Sequence, residues 1–127
     1  MSTWMIRFAV VYFIVGIGMG LQMAASNDFT LAPVHAHLNL LGWVSLAIVA
    51  IVYRLWPATE RSPLAKVHFV LYNLGLPFMM LGLAMLLRQA PYFQQVLGIS
   101  GTLVIIGILC FAANVWLNTG RREAAGT

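Results

Sequence analysis

The chain has 127 residues, of which 61% are hydrophobic and 8% charged, and a mean hydropathy of +0.89. A soluble domain carries about 25% charged residues because its surface faces water, so seven basic and three acidic side chains exclude that class. The formal net charge of +4 does not signal nucleic acid, since the basic residues gather at the ends of apolar runs; the lipid bilayer is the expected partner.

Four apolar runs, at about 5–23, 33–56, 65–89 and 94–117, each hold the ~20 residues needed to cross a ~30 Å hydrocarbon core. The fold class expected is therefore an all-α integral membrane protein. Residues 1–118 form one four-helix transmembrane domain, and 119–127 form a short cytoplasmic tail.

The first run carries Gly16 and Gly20 at the small-xxx-small spacing that lets helices approach closely in lipid. It ends at Met23-Ala24-Ala25-Ser26, as the end of a secretory leader does, but its apolar part is longer than the usual core of about 7–15 residues; it is expected to be retained. Ser26-Asn27-Asp28 breaks the pattern, as do the stretch from Pro57 to Pro63 and that from Gln89 to Pro91. In the third run, Pro77 is expected to kink the helix and free the carbonyl of Asn73. Met79 and Met80 are able to ligate copper(I), but core or lipid filling is the favoured reading. The fourth run repeats the small-residue spacing at Gly98 and Thr102, and its Cys110 is the chain's single cysteine, so no intrachain disulfide forms.

Basic residues give the orientation. Arg7, Arg54, Arg61, Lys66, Arg121 and Arg122 share one side, and only Arg88 lies on the other. The positive-inside rule makes the shared side cytoplasmic, with both termini inside, in a bacterial-type inner membrane. Trp4, Trp56 and Trp116 fall at the same interface, as an aromatic belt would place them. Carboxylates offer no catalytic pair: Asp28 sits in the first loop, and Glu60 and Glu123 lie among cytoplasmic arginines, which reads as solvated charge pairing.

The histidines carry the functional signal, because an ionisable group inside lipid is costly. His35 and His37 open the second run. On a helix they point about 200° apart, so they serve two partners on two sides rather than chelating one metal together. Asn39 and Gly42 share the His35 stripe: Asn39 offers a hydrogen bond, and Gly42 leaves room for a flat macrocycle or a neighbouring helix. Neutral imidazole suits haem iron, copper and zinc, so His35 and His37 are the candidate ligands. His68 lies near Lys66, while His37 precedes Trp56 by nineteen residues, about 28 Å along a helix. His68 therefore cannot join that centre within one chain, and it is expected to stack over Tyr72.

From His35-Ala36-His37 through Leu55-Trp56-Pro57, and again at Lys66-Val67-His68-Phe69 and Gly75, the chain resembles subunit I of the haem–copper oxidases, in its tenth and eleventh helices. The resemblance implies that His35 corresponds to the ligand of a high-spin haem and His37 to that of a low-spin haem. It gives His68 no metal. That subunit has twelve helices in three four-helix arcs, and this chain supplies one arc, so a homotrimer is the implied assembly. A symmetric trimer would hold b-type haem between neighbouring second helices, or one metal ion on its axis. The expected function is haem or copper binding in electron transfer, gas sensing or metal handling, with zinc less expected and any redox partner unknown. If the chain has an activity it is oxidoreductase-like; full oxygen reduction is not expected from one arc. The competing expectation is a structural or assembly subunit whose histidines bind no metal. A pore along a trimer axis is disfavoured because Asn39, Ser45 and Asn73 are too few polar groups to line one.

Overall fold

A computed structural model of the chain describes residues 1–120. Its described secondary structure is entirely helical, and four helices are long and apolar enough to cross a membrane. Span 1 is Ser2–Ser26, span 2 Ala32–Leu55, span 3 Pro63–Leu87 and span 4 Gln94–Asn118, entered through a 3-10 turn at Pro91–Phe93. A short helix, Pro57–Arg61, joins spans 2 and 3. The ends agree with the sequence-based bounds to within three residues. Of the expected tail, residues 121–127, among them Arg121, Arg122 and Glu123, lie outside the described residues.

Turn chemistry sets the span ends. Asn27 adopts φ 52° after span 1, a left-handed cap that asparagine tolerates better than most residues. Asp28 accepts from the Thr30 hydroxyl at 2.6 Å and from its N–H at 3.0 Å; these bonds hold its carboxyl below the usual range. Ser62 caps span 3 by accepting from the Leu64 N–H, with Pro63 at the first helical position.

The spans run alternately up and down. The Met1 ammonium lies 2.8 Å from Glu60 Oε1, the Ser2 N–H donates to the same oxygen at 2.7 Å, and Asn114 Nδ2 donates to the Thr59 carbonyl at 2.9 Å. The start of span 1, the connection after span 2 and the far end of span 4 therefore share one end, here the terminal end. Asp28, Leu31 and Arg88 meet at the other. Exposed Trp4, Trp56 and Trp116 all stand at the terminal end.

Among the described residues, the beginning of span 1 holds the Glu60 carboxylate. Partial burial pushes its pKa up, but the ammonium and the Ser2 donors outweigh burial and bring it below the ordinary value. A depressed carboxylate pKa stabilises the fold above the unfolded value, and that contribution is lost as pH falls through the folded value. Thermal melts in detergent should therefore show stability dropping as pH passes below about 4.3, with the drop reduced in Glu60→Gln.

Packing follows heptad-like seams. On span 3, Ala65, His68, Tyr72, Gly75 and Gly82 are buried, and on span 4 Ser100, Val104, Gly107 and Asn114, the 3–4 alternation that keeps a helix face on its neighbour. Small residues bring these backbones together. A Cβ added at Gly75 would lie 2.8 Å from the Ser100 carbonyl oxygen, and one at Gly82 2.8 Å from the Leu97 nitrogen. The small-residue pair Gly98 and Thr102 makes no contact with another span of this chain. Both are exposed, nothing lies within 4 Å of a Cβ added at Gly98, and Thr102 donates to the Gly98 carbonyl. The seam that buries Ser100 and Gly107 turns that pair outward. Span 3 continues as one helix through Pro77. Met80 is in the core with Met79 packed beside it, as the filling role requires.

Span 2 is not a uniform α-helix. It is α-helical at Ala32–His37, becomes a π-helix at Leu38–Ser45 and returns to α at Leu46–Leu55. Its buried residues step by four through the wide segment, from Val34 to Leu38, Gly42 and Leu46, because a wider turn needs more residues to return to the same face. Side-chain donors serve carbonyls just before and within it: Asn39 Nδ2 donates to the His35 carbonyl at 2.9 Å, and the Tyr72 hydroxyl to the Leu41 carbonyl at 3.0 Å. π segments inside α-helices occur frequently at functional sites.

Candidate functional site

The four residues singled out in span 2 stand at the start of the π segment, at the end of the bundle away from the termini. His35 turns toward span 1. Its Nδ1 lies 2.8 Å from the Gly16 carbonyl, and a Cβ added at Gly20 would sit 3.1 Å from its Cε1. Gly16 and Gly20 thus form the seat of the imidazole, a more specific role than close helix approach. Asn39 fills the same seam, its amide 2.7 Å from a Cβ added at Gly16.

A carbonyl can only accept, so Nδ1 of His35 carries a proton, and in the neutral ring Nε2 keeps its lone pair. Asn39 Nδ2, at 3.5 Å from the same Nδ1, stands at the limit of hydrogen bonding, and its 2.9 Å bond goes to the His35 carbonyl instead.

His37 points the other way and is exposed. Its Nδ1 lies 2.7 Å from the Pro33 carbonyl one turn back, which fixes the same tautomer. Pro33 is at the N-terminal end of the span, where its carbonyl is within reach of a side chain. In the neutral form both rings therefore present an unprotonated Nε2, held by an Nδ1–H to backbone oxygen. That arrangement orients a metal-ligating histidine and raises its basicity. The two rings are on different faces, as their two-residue spacing requires.

Gly42 is buried, and the room it leaves is taken by span 1: an added Cβ would lie 2.6 Å from Tyr12 Cβ and Cγ. Of the two occupants expected there, a neighbouring helix fills the space over Gly42. The open surface is on the His37 face, where Leu40, Val44, Ile48 and Ile51 form an exposed apolar stripe.

His68 belongs to a separate polar cluster near the terminal end. It is 1% exposed, and its ring centroid is 5.3 Å from that of Tyr72, but the two planes are tilted by 60°, so the rings touch without the stacking expected from sequence. The sequence did not reveal its hydrogen bond: Nδ1 lies 2.9 Å from the Tyr53 hydroxyl, across the interface of spans 2 and 3. Phe111 of span 4 closes the cluster at 5.2 Å. Interhelical hydrogen bonds in lipid average about 0.6 kcal/mol and reach about 1.7. Tyr53→Phe also leaves a buried ring nitrogen unpaired, so a loss of about 1 kcal/mol is expected in detergent unfolding, with no change in ligand binding at His35 or His37.

Among the described residues no group of three His, Cys, Asp or Glu side chains is placed to hold a metal ion. No protein family, curated protein or solved structure matches the chain. The fold defines a multi-pass membrane protein, and its chemistry is read from the two imidazoles themselves.

Proposed function

We propose that the chain is a small haem- or copper-binding membrane protein related to subunit I of the haem–copper oxidases, acting in electron transfer, gas sensing or metal handling. One observation carries the reading. Both histidines of the pair donate Nδ1–H to a backbone carbonyl, at 2.8 and 2.7 Å, and so keep Nε2 as a lone-pair donor.

The donor set suits b-type haem best on the His37 face, where an exposed imidazole stands above the apolar stripe of Leu40 and Val44. A bound haem there would supply a one-electron couple. The chain contributes the imidazole, its fixed orientation and an apolar wall that excludes water. One chain presents one outward histidine, so a second ligand comes from another copy, and a homotrimer satisfies this as well as the single-arc layout. In this reading both termini face the cytoplasm of a bacterial-type inner membrane, following the basic residues. A mass measurement in detergent giving a trimer supports the assembly, and a monomer or dimer removes it.

A second reading is favoured by the seat of His35. Its bond to Gly16 and its fit against Gly20 tie spans 1 and 2 together without any metal, as a structural or assembly subunit would require. Absorption spectroscopy and metal analysis of one purified sample separate the two. A Soret band or stoichiometric copper supports the first, and a colourless, metal-free protein that reconstitution leaves unchanged supports the second.

A further inference from the structure

The two hairpins, spans 1–2 and spans 3–4, leave two open spaces. One, of about 240 Å³, lies between the hairpins, and its polar groups are already engaged: Nδ1 of His68 with the Tyr53 hydroxyl, and the Tyr72 hydroxyl with the Leu41 carbonyl. The other, of about 370 Å³, is a groove within the first hairpin at the terminal end. It is lined by Ser2, Thr3 and Ile6 of span 1 and by Ala50, Ile51 and Arg54 of span 2.

The two walls of this groove are built alike. Span 1 starts at the terminal end and span 2 finishes there, so Thr3 and Arg54 stand at the mouth. Ile6 follows Thr3 by three residues and Ile51 precedes Arg54 by three, which puts each isoleucine about 4.5 Å deeper along its helix. Both isoleucines are exposed, and buried Ala50, with a single methyl, leaves the space between them open. Exposed Trp4 and Trp56 stand next to Thr3 and close to Arg54 in the chain, and tryptophans at a span end mark the depth of the lipid headgroups. The groove therefore has a polar mouth in the headgroup layer and apolar walls in the hydrocarbon.

Charge selects the occupant. Among the described residues Arg54 has no hydrogen-bond, ion-pair or ring partner, and its planar fork of N–H donors matches phosphate oxygens. The Thr3 hydroxyl is exposed and likewise unpartnered among the described residues. Glu60, the one described carboxylate at this end, is held by the Met1 ammonium and the Ser2 N–H. Arg7 and Lys66 add positive charge at the same end. A zwitterionic headgroup brings its own cation into this field, whereas an anionic one brings only negative charge. A second copy of the chain in the same membrane holds its basic end at the same depth and would set cation against cation. Basic pockets between spans at a headgroup layer are the usual seats of anionic lipids.

We propose that this groove binds one anionic phospholipid, with its phosphate at Arg54 and Thr3 and an acyl chain between Ile6 and Ile51. The proposal requires only that the terminal end meets a bilayer face, and it does not depend on a group bound at His35 or His37. Its test is native mass spectrometry of the full chain in detergent, titrated with dioleoylphosphatidylglycerol, with dioleoylphosphatidylcholine and with inorganic phosphate. Wild type should retain one phosphatidylglycerol per chain and prefer it to phosphatidylcholine. Arg54→Gln should weaken phosphatidylglycerol at least about fivefold, the effect of one basic side chain near the membrane surface. Ile51→Trp narrows the groove from an exposed position and should weaken binding while melting like wild type. Lys66→Gln removes the same charge from the same end outside the groove and should leave the affinity unchanged. Equal retention of the two lipids overturns the proposal, as does equal weakening by Arg54→Gln and Lys66→Gln, or unchanged affinity in folded Arg54→Gln. Retention of inorganic phosphate in place of the lipid assigns the mouth to a free anion and overturns it as well.

Discussion

If the chain binds haem or copper as proposed, His37→Ala should reduce the bound group to background while the protein unfolds at close to the wild-type temperature. The ring is exposed, so its removal opens no buried cavity. What disappears is the ligand itself. Changes to groups that merely orient a metal ligand cost about 10–100-fold in affinity, and removing the ligand exceeds that. His35→Ala gives a different pattern. It empties the seat at Gly16 and Gly20 and breaks a hydrogen bond between spans 1 and 2, so it lowers stability whether or not His35 holds a metal. Absorbance per chain and metal content, measured beside a thermal melt, resolve the two effects. Full occupancy in both variants would sink the assignment of this pair as ligands.

Gly82→Ala unfolds more readily than wild type, by about 1–3 kcal/mol, the usual cost of forcing volume into a packed seam. The added methyl would meet the Leu97 nitrogen at 2.8 Å and its Cα at 3.0 Å. Those are backbone atoms, and only a shift of the whole of span 4 relieves the clash. Gly42→Ala behaves similarly, because the methyl meets Tyr12 Cβ at 2.6 Å, an atom fixed to the backbone of span 1. Moving span 1 also moves the carbonyl that holds His35, so Gly42→Ala should weaken any ligand at that histidine together with the fold. Gly98→Ala is the control. Nothing lies within 4 Å of its added methyl, and the replacement of glycine in a helix by alanine gains up to about 1 kcal/mol. Equal melting temperatures for Gly82→Ala and Gly98→Ala in detergent would show that spans 3 and 4 do not meet at Gly82.

Much of the candidate site was legible because it depends on local periodicity. Two residues of separation on a helix put His35 and His37 on different faces, and the rise per residue kept His68 away from both. The tautomers were not legible, since the Gly16 carbonyl is reached only when span 1 lies in one register against span 2. The same holds for Glu60, whose partner is fifty-eight residues away at Ser2. The Gly98 and Thr102 spacing matched a contact motif, yet small residues permit close approach without selecting the face that makes it. The π segment carried one local trace, an asparagine and a glycine three apart, which by itself does not distinguish a wide turn from an α-helix.

The sequence by itself determined that this chain enters lipid and crosses it in four helices, because transfer from water to hydrocarbon is a sum over residues and needs no partner. It also determined where imidazole sits along those helices. Only the tertiary structure decided which glycine receives which side chain, which nitrogen of each histidine is left free, and where the two hairpins stand apart. Those outcomes follow from interlocking surfaces of different spans, and each surface is completed by residues distant in the chain.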